Sequence, residues 1–324
     1  MKQIKQSIIA RFFKERRGDA EHNPEYVDLV RRSGILGAIV GDIVGSVHEF
    51  IATKTTQFEL FVENSRFTDD TIMTIAVAEW LATEQQPVSN CLLPSFMRKW
   101  GRQYRYAGWG RMFRVWLFSP FEADHKPYNS FGNGSGMRVS ACGFFAKSLD
   151  EALCLAKLSA EVSHNHPEGI KGAQAIAAAI FLARQQMHKD KIRAYIEQTF
   201  GYNLHRTCDE IRPDYKFDET CQGSCPEAII AFLDSHDFES AIRLAISLGG
   251  DSDTIGAMTG GIAAAYYGIP DKIACKALDY LPADMVEVVA KFEKAITNNN
   301  ETPNTNFCDA PYCGEHGANP KSKM

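Results

Sequence analysis

Apolar residues in this chain recur at spacings of three and four, the period of helices that bury one face. The run at 35–45, Ile-Leu-Gly-Ala-Ile-Val-Gly-Asp-Ile-Val-Gly, reads as one such helix. Gly37, Gly41 and Gly45 fall four apart and share a face. A glycine stripe costs helix propensity, so it points to a place where a second backbone comes close, in the protein centre. Asp42 and Glu49 stand seven apart, which the same period places on one face. The next helix is predicted over 68–81, with Thr68 as its N-cap and Asp69 and Asp70 in the first turn, where the helix dipole favours negative charge. Further helices are predicted over 90–104, 149–162, 169–187, 191–200, 225–235, 238–248, 254–267 and 271–297. Alternation of the strand type is not sustained anywhere, so the pattern predicts an all-α protein.

Two of these helices open on similar chemistry. Thr68-Asp69-Asp70-Thr71 begins one, and Gly249-Gly250-Asp251-Ser252-Asp253-Thr254 begins another far along the chain. A cap needs one oxygen acceptor, whereas each segment brings two carboxylates and a threonine hydroxyl. Four carboxylates gathered in one pocket repel unless a cation neutralises them. Oxygen-only ligands select hard ions, so the leading expectation is a site for two Mg²⁺ or Mn²⁺ ions, with Ca²⁺ also compatible. The small residues of 256–265 again suggest a tightly packed centre.

The loops between helices carry the remaining signals. Residues 130–136, Ser-Phe-Gly-Asn-Gly-Ser-Gly, offer backbone N–H groups suited to phosphate oxygens, but lack the Gly-Lys-Ser/Thr of a P-loop. His164 and His166 have no matching ligand cluster, which favours a ligand contact or a helix cap over a transition-metal site. Cys221-x3-Cys225 and Cys308-x4-Cys313-x2-His316 depart from paired zinc spacing, and no Gly-x-Ser-x-Gly elbow occurs.

Composition narrows the setting. The 324 residues are 45% hydrophobic and carry a net charge of −5, which gives no basic signature for nucleic acid. Nine scattered cysteines without a secretory leader predict free thiols and a cytoplasmic protein. No apolar stretch has the length to span a bilayer. Residues 1–32 read as an N-terminal extension that includes a short basic and apolar patch, and the polar segment 298–324 is expected to be a mobile tail.

In order along the chain stand Gly37-x3-Gly41-Asp42-x2-Gly45-x3-Glu49, Phe67-Thr68-Asp69-Asp70-Thr71, Gly132-Asn133-Gly134, Ser163-His164 and Gly249-Gly250-Asp251-Ser252-Asp253-Thr254. Together they resemble the ADP-ribosylglycohydrolases over roughly 33–297. The resemblance implies a compact orthogonal helix bundle with a central dinuclear Mg²⁺ or Mn²⁺ site. It implies that Thr68, Asp69, Asp70, Asp251, Asp253 and Thr254 bind the ions, with Glu49 or Asp251 moving the proton. It implies that Ser130, Phe131, Gly132 and Asn133 hold the diphosphate and its ribose, that His164 lines the cleft, and that Gly108 and Gly110 approach the ligand. The expected activity is hydrolysis of the N- or O-glycosidic bond between ADP-ribose and a modified protein or small molecule, by a monomer. The alternatives are a non-enzymatic ADP-ribose-binding module of the same fold and a metal phosphohydrolase acting on ADP-ribose.

Overall fold

The computed structural model describes residues 24–83, 88–121 and 125–301. Among them are sixteen α-helices and no strand; the one β-bridge joins Gly132 to Thr220. The chain opens with α1 (Pro24–Arg31), α2 (Ile35–Gly45), α3 (Asp69–Thr83), α4 (Leu93–Gln103) and α5 (Arg111–Phe118). Short α6 (Gly134–Met137) and α7 (Ser140–Phe145) lead into α8 (Leu149–Glu161), α9 (Pro167–Arg184) and α10 (Lys189–Phe200). Then come α11 (Cys208–Ile211), α12 (Cys221–Asp234), α13 (Phe238–Ser247), α14 (Ser252–Tyr267), α15 (Asp271–Leu278) and α16 (Ala283–Glu301).

Local chemistry sets many of these boundaries. Ser148, Thr220 and Asp237 each accept a bond from a backbone N–H in the first turn of the helix that follows. Gly201 ends α10 in the left-handed conformation. The single helix predicted over 271–297 is instead two, α15 and α16, divided before Pro282. Helices α1, α5, α6, α7 and α11 were not predicted; three of them are six residues or shorter, too brief to show a period.

The centre is the pairing of α2 with α14. Every residue of α2 is buried, and its glycine stripe lies on the backbone of α14. A Cβ on Gly41 would stand 1.9 Å from the Gly256 carbonyl oxygen, and one on Gly37 would stand 2.4 Å from that of Gly260. A Cβ on Gly45 would stand 2.4 Å from the Asp253 Cα. Along this line the two backbones meet directly, with the Ala264 Cβ also 2.4 Å from where a Cβ on Gly37 would stand; this is the close approach the stripe predicted. Around the pair lie α3, α9 and α12, whose Trp80, Ile176, Ala178 and Phe232 are buried in one continuous core.

Helix α1 falls inside the segment expected as an extension. Its Val30 is fully buried, and Glu25 pairs with Lys294 of α16 at 3.1 Å. The basic and apolar patch of residues 1–17 lies outside the described residues, as does the expected mobile tail of 298–324 from 302 onward; its first residues, 298–301, instead continue α16, with Asn299 buried and its Nδ2 donating to the Phe145 carbonyl at 3.1 Å. Cys142, Cys208, Cys221, Cys225 and Cys275 are free, as expected; Cys91 is disulfide-bonded, contrary to the expectation of free thiols throughout. No described helix is long and apolar enough to cross a membrane.

Candidate metal centre and cleft

The α2–α14 contact brings the two aspartate pairs together. Asp253 sits in the first turn of α14, against Gly45 at the end of α2. Asp69 and Asp70 open α3, and Thr68 caps it, its Oγ1 accepting from the Asp70 N–H at 3.3 Å. Asp42, on α2, joins the two parts. Its Oδ2 accepts from the N–H groups of Thr68 (2.8 Å) and Thr71 (3.0 Å) and from the Thr71 hydroxyl; its Oδ1 accepts from the Thr68 hydroxyl at 2.7 Å. The buried carboxylate therefore fixes the start of α3 against the central helix. The sequence reading placed Asp42 beside Glu49 on one helix face, but α2 stops at Gly45, and Glu49 lies in the turn beyond it.

Oxygen atoms of Asp42, Asp70 and Asp253 lie within 4.8 Å of one another, as do those of Glu49, Asp251 and Asp253. Asp253 belongs to both groups. The hydroxyls of Thr68 and Thr254 each stand 3.3 Å from Asp70 Oδ2. Asp70 Oδ1 is buried and has no hydrogen-bond partner. An orphaned buried carboxylate oxygen among hydroxyls and further carboxylates is the donor set that a hard divalent cation satisfies. The residues present thus fit such an ion, and each of the two groups, which share Asp253, could hold one.

The electrostatics agree. Burial, then the neighbouring Asp253 charge, pushes Asp70 well above the usual carboxylate range. Asp253 is driven up by burial and by Asp251, and Asp69 by burial and by Glu49. Glu49 is pushed up to about 9 by burial and by Asp253, with Arg66 opposing. Asp251 is pushed up to about 7 by burial, while its contacts with Asp253 and Asn133 pull the other way. Crowded, desolvated carboxyls hold protons for want of a compensating charge.

Above this cluster a cleft of about 290 Å³ opens to the surface. Asp69, Asp70, Asp251, Asp253 and Thr254 line it together with Glu49, Gly108, Gly110, Ser130, Gly132, Asn133 and His164. Thr68 lies just behind Asp70. The Phe131 ring is outside the lining, turned onto His166 at 5.3 Å between centroids. His166 caps α9 through Nδ1, accepting from the Glu168 N–H at 3.1 Å. Gly108, at φ +105°, leaves no room for a Cβ beside Asp69, whose Oδ1 would stand 2.9 Å away.

The glycine-rich loop differs in detail from a cradle of free amides. Gly132 N–H donates to Ser130 Oγ (3.1 Å) and Asn133 N–H to the Glu219 carbonyl (2.8 Å), so neither faces a ligand unpaired. Gly134 and Ser135 stand in the first turn of α6, where backbone N–H groups have no partner within the helix. Asn133 instead supports the acidic cluster: its Nδ2 donates to Asp251 Oδ2 at 2.6 Å and to Ser224 Oγ at 3.0 Å. The segment that carries Glu49 is tied down by Lys54, whose Nζ donates to the carbonyls of Arg212 (2.9 Å), Tyr215 (2.8 Å) and Leu248 (2.5 Å). Leu248 directly precedes the Gly249-Gly250 turn, where both glycines take positive φ before Asp251.

Residues absent from the sequence reading complete the lining, among them Phe113, Tyr128, Arg138, Phe217 and Glu219. Arg138 had a visible signal, a lone charge between small and apolar residues. Phe217 and Glu219 come from a polar loop without period or motif. Phe217 stacks on Phe50 at the mouth, with ring centroids 6.4 Å apart.

Comparison with known proteins agrees with the fold. The family model described as ADP-ribosylglycohydrolase matches residues 26–302. The ADP-ribosylhydrolase ARH3 of Mus musculus is 27% identical over 312 residues, covering 74% of this chain and 84% of its own length. The ADP-ribosylarginine hydrolase Tri1 of Pseudomonas putida (strain GB-1) is 25% identical over 288 residues, covering 80% of this chain and 74% of its own. A solved structure titled ADP-ribosylglycohydrolase-related protein complex superposes with a TM-score of 0.64 at 24% identity, covering 85% of this chain and 100% of that one, a likeness of fold. With most of its length matched by the family model, this chain belongs to the ADP-ribosylglycohydrolase family.

Proposed function

We propose that this chain hydrolyses the glycosidic bond between ADP-ribose and a modified acceptor, a protein side chain first among them. The observation that carries the reading is the convergence of Asp70, Asp253, Asp251, Thr68 and Thr254 at the floor of a cleft whose wall is the Ser130–Asn133 loop. Membership of the family supports it.

In this reading Thr68, Asp69, Asp70, Asp251, Asp253 and Thr254 hold two divalent ions, Mg²⁺ or Mn²⁺. When bound, such ions supply positive charge that neutralises the carboxylates and orients hydroxyl oxygens of the substrate. The rest falls to the chain. The wall at Ser130, Gly132 and Asn133 seats the diphosphate end, with His164 beyond it. Cleavage builds oxocarbenium-like charge on the ribose next to the acceptor, and the carboxylates of Asp251 and Glu49 stabilise it. Asp251 is held by Asn133 and so suits orientation. Glu49, in the turn past α2 and half-buried at the cleft, suits proton transfer to or from the acceptor side.

The test is release of ADP-ribose from arginine-linked and serine-linked ADP-ribosyl peptides, with Mg²⁺ and with chelator. Metal-dependent release of intact ADP-ribose from either peptide supports the reading and assigns the linkage. Release of AMP or phosphate instead indicates a phosphohydrolase. Tight ADP-ribose binding with both peptides left intact indicates a binding module.

A further inference from the structure

His164 is buried at 5% exposure in the cleft wall, between the rings of Tyr128 (5.8 Å) and Phe113 (6.2 Å). Its Nδ1 lies 2.8 Å from Ser163 Oγ. Its Nε2 points the other way, across the glycine-rich loop, 3.0 Å from where a Cβ on Gly134 would stand. Among the described residues Nε2 has no hydrogen-bond partner. Behind Ser163 lies Arg138, fully buried and, among the described residues, without a carboxylate partner. Its Nη2 donates to Ser163 Oγ (3.0 Å) and the Ser159 carbonyl (2.7 Å), and its Nη1 to the Gly134 carbonyl (2.9 Å).

We infer that Arg138 and Ser163 are positioning residues that hold His164 as the neutral Nε2–H tautomer, so that the ring offers a hydrogen-bond donor, and not a base, to an acceptor oxygen of the ligand. The direction follows from donor counting. A guanidinium only donates, so Ser163 Oγ accepts from Arg138 and keeps its own hydrogen to give. His164 Nδ1 is the acceptor within reach. Nδ1 is then bare, and in a neutral ring the proton sits on Nε2. Burial, reinforced by the adjacent Arg138 charge, keeps His164 well below the usual histidine range, which makes the ring neutral. Phosphate and ribose oxygens are the acceptors that a diphosphate-bearing ligand brings to this wall; that part rests on the proposed function, whereas the tautomer rests on the geometry alone.

The experiment is two-bond ¹H–¹⁵N correlation on the full chain with ¹⁵N-labelled histidine at neutral pH, with His164 assigned by its loss in His164→Gln. The expected result is a neutral ring protonated at Nε2, passing to a mixture of tautomers in Ser163→Ala. ADP-ribose affinity should fall roughly fivefold to tenfold in Ser163→Ala, the size of one hydrogen bond. His164→Gln, with an amide N–H near the Nε2 position, should bind ADP-ribose better than His164→Ala. A wild-type ring that is cationic or protonated at Nδ1 overturns the inference, as does a tautomer unmoved in Ser163→Ala. The wild-type spectrum decides even where that variant does not fold. If the wild type neither binds ADP-ribose nor releases it from a conjugate, the proposed function fails, and the tautomer measurement still stands on its own.

Discussion

Substituting alanine for Gly41 tests the claim that the acidic cluster is assembled by bare backbone contact. The new Cβ would meet Gly256 O at 1.9 Å, Gly256 C at 2.2 Å and Ala257 N at 2.7 Å, all main-chain atoms that no rotamer can move aside. Reaching ordinary contact requires α2 and α14 to part by about 1.5 Å. Alanine gains about 1 kcal/mol in helix propensity over glycine. Overpacking against rigid backbone costs about 3 kcal/mol. The net loss is about 2 kcal/mol, a fall of roughly 4–8 °C in melting temperature for a domain of this size. The displacement also separates Asp42 from the start of α14, so Mn²⁺ affinity measured by titration calorimetry should drop at least tenfold. Gly110→Ala is the control for stability: its Cβ meets nothing within 4 Å, and φ is −55°. If Gly41→Ala melts and binds Mn²⁺ like the wild type, the helices are not held by this contact and the reasoning fails.

The other expectations address the cluster and its supports. Asp70→Asn and Asp253→Asn should lose Mn²⁺ binding and turnover together, while Glu49→Gln should keep most of the binding and lose turnover; full activity of both aspartate variants in chelator would contradict the metal reading. Folded-state values for Glu49 (about 9) and Asp251 (about 7) exceed their unfolded values, so the folded chain binds more protons and its stability falls as pH rises from about 4.5 to about 9. In EDTA the melting temperature should therefore decline from pH 5 to pH 8, and saturating Mg²⁺ should flatten the slope; a rise in EDTA would reverse the sign argued here. Lys54→Met strands three carbonyls and frees the segment that carries Glu49, so it should lower kcat several-fold and stability by about 1 kcal/mol, with Lys54→Arg nearer the wild type; unchanged kcat would show that Lys54 leaves Glu49 unaffected.

What was legible in the sequence follows from what is local. The stripe of Gly37, Gly41 and Gly45 predicted a backbone partner, and the α14 backbone is that partner. Thr68 and the two aspartate pairs predicted helix starts, and α3 and α14 begin there. Position 282 breaks a helix that apolar periodicity carried straight through, because a proline cannot donate the ladder bond. The polar supports were not legible, since each depends on a hydrogen-bond partner supplied from elsewhere. Asp42 is a single charge in an apolar run; only the fold shows that it receives four hydrogen bonds from Thr68 and Thr71. Arg138 answers to carbonyls of Gly134 and Ser159, and Lys54 to carbonyls as distant as Leu248.

These supports share a logic with the cluster they surround. Among the described residues Asp69, Asp70, Asp251 and Asp253 form no ion pair with a cation, and Arg138 forms none with a carboxylate. Bringing Arg138 to Asp70 or Asp253 would have satisfied both at once and left nothing for a ligand. They are instead held apart by neutral partners: Arg138 by the acceptors Ser159 O, Gly134 O and Ser163 Oγ, the aspartates by donors, the Thr68 hydroxyl and the Asn133 amide. A buried charge without its opposite is costly, and it persists where something outside the chain completes it. The cleft therefore has a cluster of carboxylates in its lining and a buried guanidinium, Arg138, behind His164. In the proposed reading, cations answer the acidic floor and an anionic diphosphate answers the end where Arg138, through Ser163 and His164, faces the cleft.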